Sequence, residues 1–295
     1  MRPYRLKINA AYDVIVMRCI NFRQKIFIMQ KSTTFSLFLI SFFFLIAACT
    51  GPRGFVNKQI PNTPAPGFDL AGSDKRAVDL ADSVMLASGG RYAWDQTRFI
   101  RWTFLGKREL VWDKWQNKVR INFIDRDLKI LLNMNDMTGS VKMNGVVQTN
   151  SDTIAKYLNR GKSIWINDSY WLLMPFKLKD SGVTLKYKGS KKSNLGVDCE
   201  VIGLTFSKVG DTPQNRYEIF INPSSHLVTQ WSYFEKADNE KPNFTMPWQD
   251  YRSLGNILLS VSRGETRVMT PMGVYKNLPD STFTSFNAVN YNLVK

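Results

Sequence analysis

Over most of this chain apolar side chains return every second residue, in short runs set close together. That pattern commits the chain to antiparallel β-structure with one buried face. The clearest run is residues 118–124, where Val119, Ile121 and Phe123 fall on one face and Lys118, Arg120 and Asn122 on the other. Leu128, Ile130, Leu132 and Met134 form the next such face, so the two runs are expected to pair as neighbours. Residues 94–104 place Ile100, Trp102 and Phe104 on one side, with Thr97, Arg101 and Thr103 on the other. Asn144-Gly145, between Val141/Met143 and Val146/Val147, is a two-residue hairpin signal, because both turn positions need a positive φ that Asn and Gly tolerate. Further runs cover residues 183–187, 199–206, 217–221 and 227–234, the last two joined by Asn222-Pro223-Ser224-Ser225-His226. Such spacing predicts a meandering antiparallel sheet that has to curve or be covered on one face.

Two segments break the alternation with helical period. From Ser73, the residues Ala77, Leu80, Ala81, Val84 and Met85 share one helix face, Ser73 and Asp74 can cap its start and Gly89-Gly90 can end it. A shorter helix is expected over residues 151–161, carrying Ile154, Ala155 and Leu158. The fold class is therefore α+β and mainly β, a strongly curved antiparallel sheet with helices covering one face.

Ahead of this lies SLFLISFFFLIAACT at residues 36–50, an apolar run too short and wrongly flanked for a transmembrane helix but suited to a secretory signal. Its last four residues, Ile46-Ala47-Ala48-Cys49, resemble the bacterial lipobox. The resemblance implies that Cys49 receives a diacylglyceryl group and becomes the mature N-terminus. The alternative is a plain secretory signal with an incidental cysteine. Met29-Gln30-Lys31 supplies the basic n-region, so translation is expected to begin at Met29, with residues 1–48 removed in either case. Residues 49–70 contain Pro52, Pro61, Pro64 and Pro66 and little that can pack, and read as a tether. Residues 71–295 are then one folded domain, with no internal repeat or second linker to divide it.

Loss of the leader changes the charge. The whole chain carries +16, but the leader takes seven Lys or Arg and Asp13 with it, leaving 33 basic against 23 acidic residues, a net of +10. That charge favours weak attraction to anionic lipid head groups, and nucleic acid is not an expected partner of an exported protein. Lys186, Lys188, Lys191 and Lys192 come closest to a basic patch, and they read as a solvated turn rather than a patch. Cys19 and Cys49 belong to the leader and anchor, so Cys199 stands alone in a strand-like run, as a buried inert thiol or a reactive one.

The lipobox, the N-terminal helix, a long strand opening at Trp94 and a Tyr-rich strand–Asn-Pro–strand hairpin together resemble the LolA/LolB-like family of periplasmic carriers. Tyr170-Trp171-Leu172-Leu173-Met174-Pro175-Phe176 followed by Gly182-Val183-Thr184-Leu185 is similar to lipoproteins of the Bacteroidetes type that have no established activity. The first resemblance implies a half-barrel lidded by helices around an apolar cavity for lipoprotein acyl chains.

Groups that titrate or ligate are few. His226 is the single histidine and sits in a predicted turn, which excludes a histidine-rich zinc site and leaves a catalytic triad one position to use. Asp125/Asp127 and Glu235/Asp238/Glu240 fall between strands as surface carboxylates or, alternatively, a glycosidase-type pair. Gly89-Gly90 and Gly161-Lys162-Ser163 lack phosphate-loop spacing. No cofactor or metal is expected, and no catalysis. What stands out is Trp165 and the aromatic run from Tyr170 to Phe176, interrupted by Asn167-Asp168-Ser169, too polar at its centre for a core helix and too apolar for a free loop. Ile100, Trp102, Phe104, Val119, Ile121, Phe123, Met134, Trp171, Leu173, Met174 and Phe176 are the expected lining of an apolar cavity; a filled core is the competing reading.

The sequence thus reads as a lipid-anchored, periplasm-facing outer-membrane protein, monomeric, binding or carrying a lipid or lipoprotein acyl chain. A non-catalytic interaction or sensor module in envelope assembly is the rival. Cys49→Ser is expected to move the protein from the membrane fraction to the soluble one, as read by fractionation and mass spectrometry of the N-terminus.

Overall fold

The computed structural model of the protein describes residues 60–207 and 209–293, which belong to one compact unit. The leader, Cys49 and the first part of the expected tether lie outside the described residues. The chain begins with helices α1 (Lys75–Ala87) and α2 (Gly90–Gln96). A meander of β1 (Phe99–Phe104), β2 (Arg108–Asp113), β3 (Lys118–Phe123), β4 (Leu128–Asn133), β5 (Thr138–Met143) and the short β6 (Val146–Val147) follows. Helix α3 (Ser151–Leu173) and a 3₁₀ turn (Met174–Phe176) lead into a second meander of β7 (Val183–Lys192), β8 (Asp198–Phe206), β9 (Arg216–Ile221), β10 (Val228–Phe234) and β11 (Phe244–Pro247). A ribbon of β12 (Gln249–Leu254) and β13 (Ile257–Ser262), then β14 (Met272–Tyr275) and the single-turn α4 (Ser281–Thr284), complete it.

The strands form three antiparallel sheets where the spacing predicted one. Seven strands run in the order β14-β1-β2-β3-β4-β5-β6, five in the order β11-β10-β9-β8-β7, and β12 pairs with β13 alone. The division falls where α3 interrupts the meander between β6 and β7. Each large sheet then builds its own core. Ile100, Trp102, Leu110, Val119, Ile121, Ile130 and Val141 fill one, and Leu185, Ile202, Leu204, Ile219, Ile221 and Trp231 fill the other, against Ala77, Leu80, Ala81 and Val84 of α1. Expected features hold within the sheets: Val119 faces Leu132 and Ile121 faces Ile130 across β3 and β4. Asn144 and Gly145 take φ of 49° and 79° in their hairpin.

Four local readings change. Asp74 precedes α1 without a side-chain cap; its carboxylate accepts instead from the Tyr187 N–H at 2.9 Å and Lys186 Nζ at 3.1 Å. Trp94 belongs to α2, stacked on Phe176 at 4.5 Å, and the strand starts at Phe99. Residues 61–70, read as tether from their prolines, lie against the domain: the Ala65 N–H donates to the Lys179 carbonyl at 2.9 Å and the Asp69 N–H to the Val183 carbonyl at 3.0 Å. Ordered packing therefore begins before Ala71. The four lysines occupy strand β7, at the edge of the five-stranded sheet, where Lys186, Lys191 and Lys192 pair with Asp74, Glu218 and Asp198. Charge along an edge strand discourages pairing with another chain.

The largest change is α3. It runs 23 residues, past the expected end at Gly161 and through the polar Asn167-Asp168-Ser169 triplet. Asp168 is fully buried, and Arg108 at the start of β2 makes a two-pronged bond to it, Nε to Oδ2 at 2.6 Å and Nη2 to Oδ1 at 2.8 Å. Burial holds the Asp168 carboxyl above its ordinary range while Arg108 pulls it down. Removing one partner strands a buried charge, at a cost of about 3–5 kcal/mol. Arg108→Ala is expected to lose about that much in chemical denaturation. Arg108→Met combined with Asp168→Leu should recover most of it, because no unpaired charge then remains buried at this contact.

Candidate functional site

Past Asp168, α3 turns its last two turns toward the five-stranded sheet, and a half-open cleft of about 620 Å³ lies there. Trp165, Ile166, Asn167, Tyr170 and Trp171 of α3 form one wall. Phe206 at the end of β8, Tyr217 on β9, Trp231 and Tyr233 on β10 and Phe244 on β11 form the facing one. Lys177, Asp180, Ser181 and Val183, with Val209, Gly210, Asp211, Thr212 and Asn215, complete the lining.

Strand register assembles the aromatic wall. Tyr217 lies directly opposite Tyr233, and Tyr233 opposite Phe244, so three neighbouring strands each present an aromatic ring in one row. Trp231, two residues before Tyr233, occupies the next row on the same face. The Tyr217 and Trp231 rings stack at 5.0 Å and 5°, Tyr233 and Phe244 at 4.8 Å and 24°. Trp171 meets Trp231 edge-on at 5.0 Å and reaches Phe104 of the other sheet at 5.8 Å, so one side chain joins both cores. Tyr170 packs against Phe206, Tyr217 and Trp231.

The polar groups are sparse and mostly neutral. Burial pushes the Tyr170 and Tyr217 hydroxyls far above their ordinary range, so both remain protonated at any physiological pH. Lys177 and Asp180 pair at the rim. Asn215, 4% exposed, donates from Nδ2 to Thr212 Oγ1 at 2.6 Å. A deep aromatic surface with a few oriented polar atoms is the composition of a small-molecule site, and 620 Å³ falls within the usual range of about 300–1,000 Å³.

Of the residues expected to line a cavity, Trp171 lines this one. Ile100, Trp102, Phe104, Val119, Ile121, Phe123, Leu173 and Phe176 come together as expected, but as the packed core of the seven-stranded sheet, none more than 8% exposed. Met134 packs at the edge of that core, and Met174, wholly buried, belongs to the core of the other sheet. Tyr217, Trp231, Tyr233 and Phe244 escaped the sequence reading as site residues. Their signal was present in part: Trp231 and Tyr233 alternate on one strand, joined by a short turn to the strand of Tyr217, while Phe244 lies on a third strand.

His226 is an exposed turn residue at φ 55°, its N–H donating to the Asn222 carbonyl at 2.8 Å. Cys199 is buried, with Sγ 3.4 Å from Thr229 Oγ1. Among the described residues no three or more His, Cys, Asp or Glu are grouped so as to hold a metal ion, and no helix is long and apolar enough to cross a membrane. A second cleft, of about 640 Å³, lies between residues 60–64 and the facing ends of α1 and α2.

No protein-family model matches the chain, and no curated protein matches it. Among solved structures, a DUF1329 family protein from Desulfovibrio piger is similar over 75% of this chain and 98% of its own, at 13% identity and a TM-score of 0.40. A LolA superfamily protein from Nitrosomonas europaea is similar over 70% of this chain and 97% of its own, at 11% identity and a TM-score of 0.39. The resemblance to Bacteroidetes lipoproteins gains no support from these matches. The strand order, rather than these likenesses, defines the fold as mainly β with open antiparallel sheets and a few helices.

Because Trp171 spans both cores, Trp171→Ala is expected to cost about 3 kcal/mol, near the low end of buried Trp truncations. Calorimetry should then show a melting temperature lowered by roughly 6–12 °C, at about 2–4 °C per kcal/mol for a domain of this size. A fall of under 2 °C would show that the two sheets are joined elsewhere.

Proposed function

We propose that this protein binds an apolar or amphiphilic molecule, a lipid or a lipoprotein acyl chain, in the aromatic cleft between α3 and the five-stranded sheet, and holds it without catalysis. The observation that carries the reading is the cleft itself: eight aromatic side chains around about 620 Å³ of open space, beside cores in which comparable apolar side chains pack without such a groove. Rings held by stacking and edge contacts keep their shape when unoccupied, so a ligand gains contact area without first ordering the wall. The leader read from residues 36–50 supports a place in the cell envelope, with Cys49 as lipid anchor and the domain facing the periplasm from the outer membrane. The net charge of +10 after removal of the leader supports a position beside anionic head groups.

The test uses a dansyl-labelled fatty acid whose emission rises in an apolar site. Wild-type protein is expected to bind it saturably. Ile166→Arg, which brings a charge to the α3 wall, should weaken binding at least tenfold with far-ultraviolet circular dichroism unchanged. Leu173→Asp places its charge at a core position 1% exposed and should act on stability instead, lowering the melting temperature sharply. Absence of saturable probe binding by the wild type would overturn the proposal.

A further inference from the structure

Around the second cleft, large apolar and aromatic side chains are left in water. Ile60, Leu86 and Tyr92 line it at 37%, 50% and 39% exposure. Trp115, 56% exposed in the β2–β3 turn, lies on the same side, because its Nε1 donates to the Asp95 carbonyl of α2 at 3.1 Å. Asp95 in turn accepts from Arg91 Nε at 2.9 Å, and Arg91 Nη1 reaches the Thr63 carbonyl in the cleft wall at 3.3 Å. Exposed apolar residues scattered singly are ordinary on any surface, whereas four linked by such a chain of contacts mark an interaction face.

The charges on this face fit an anionic surface. Asp82 and Asp95 are paired with Lys179 and Arg91, and Asp113 with Arg98, whose guanidinium lies 5.4 Å from the Trp115 ring. Lys114, beside Trp115, donates to the Asp95 carbonyl at 3.5 Å rather than to a carboxylate, so the balance among these groups is positive. Trp and Tyr side chains beside aliphatic ones, with cations around them, are the composition that settles at the level of lipid head groups. There the rings and aliphatic chains leave water while the cations meet phosphates.

Chain length decides which way the face points. Ile60 is eleven residues beyond Cys49, and eleven residues span at most about 40 Å in any conformation. A domain of this length has a radius of gyration of about 17 Å, which makes it about 45 Å across and about 70 Å halfway round. With Cys49 held in a bilayer, the connection is too short to pass around the domain, so the side that carries Ile60 lies toward the membrane.

We propose that the face formed by Ile60, Leu86, Tyr92 and Trp115 docks on an anionic lipid surface and fixes how the domain stands on its membrane. Its direction rests on the reading of Cys49 as a lipid anchor; its chemistry does not.

The test uses residues 49–295 with Cys49→Ser, which lacks the anchor but keeps every described residue, and flotation with phosphatidylcholine vesicles containing one quarter phosphatidylglycerol. The chain is expected to float with the vesicles at low ionic strength. Leu86→Gln and Trp115→Gln change exposed side chains and should each weaken that partition at least fivefold, with far-ultraviolet circular dichroism unchanged. Ile124→Gln, 58% exposed in the β3–β4 turn at the other end of the seven-stranded sheet, should leave it as it is. Ile166→Arg should also leave flotation unchanged while it weakens fatty-acid binding, so the aromatic cleft and this face are judged separately. Absence of flotation, flotation untouched by both Leu86→Gln and Trp115→Gln, or an equal loss in Ile124→Gln would overturn the proposal. A dimer formed without lipid and abolished by the same two substitutions would overturn it in favour of a second copy of this chain.

Discussion

The structure turns on one buried ion pair. Helix α3 has to pass from the seven-stranded sheet, where Leu158 and Gly161 face Ile130 and Leu132, to the five-stranded sheet, where Tyr170 and Trp171 face Trp231. A carboxylate lies on its buried side between these two contacts, and alone it would unwind the helix or draw it to solvent. Arg108 supplies both nitrogens of its fork from the first residue of β2, and the bidentate geometry satisfies both carboxylate oxygens at once. Asn167 adds a third hydrogen bond, Nδ2 to Oδ1 at 2.9 Å. A buried pair of this kind adds little net stability over an apolar substitute, but breaking it is costly, so it fixes where the helix lies more than how firmly the protein folds.

From that placement the cleft follows. With α3 tied to β2, its last turns divide between the two sheets: Leu172 and Leu173 stay in the core of the seven-stranded one, and Trp171 touches Phe104 on one side and Trp231 on the other. The ribbon of β12 and β13 secures the same end of the helix. Arg263, 1% exposed and 3.3 Å above the Trp248 ring, donates to the Trp171 carbonyl, where a cation favours the negative end of the helix dipole. Trp248 in turn meets Trp231 edge-on at 5.4 Å. The cleft floor is thereby tied to a guanidinium whose two terminal nitrogens donate to carbonyls and the Ser260 hydroxyl rather than to a carboxylate, while its Nε has no partner. Arg120 follows the same rule at the C-terminal end, where its nitrogens bind the Ser285 carbonyl at 2.7 Å and the Asn287 carbonyl at 2.8 Å and hold that segment on the outer face of the seven-stranded sheet.

Period and turn chemistry made most strands legible, since β3, β4, β8, β9 and β10 all carry apolar alternation and the Asn144-Gly145 turn admits few other shapes. The face of α1 was legible for the same reason, all five residues read from its period being buried. What could not be read were long-range pairings. The polar triplet at Asn167 looks like a helix stop until Arg108, about sixty residues away in sequence, is known to meet it. Strand β2 went unnoticed because Leu110, Val111 and Trp112 are buried on both faces, one toward the core and the other under the C-terminal segment with Leu278, so no alternation shows. Likewise, hydrophobic residues that converge are visible in sequence, but whether they close up or leave a groove is not.

The difference between the filled core and the open cleft is one of side-chain shape. The seven-stranded sheet faces α3 with Leu, Ile, Val and Met among its tryptophans, branched or flexible chains that settle into irregular gaps. On the five-stranded sheet the facing residues are rigid planes, Tyr217, Trp231, Tyr233 and Phe244, already committed to one another by stacking. Two rotatable bonds per ring leave little freedom to turn inward and fill a space, and the edge contacts to Tyr170 and Trp171 fix the opposite wall at a distance. The cleft is then a property of which residues were placed opposite one another, and an aliphatic substitution on the β10 face would tend to close it, because a branched chain there could follow the wall inward as its counterparts do in the neighbouring core.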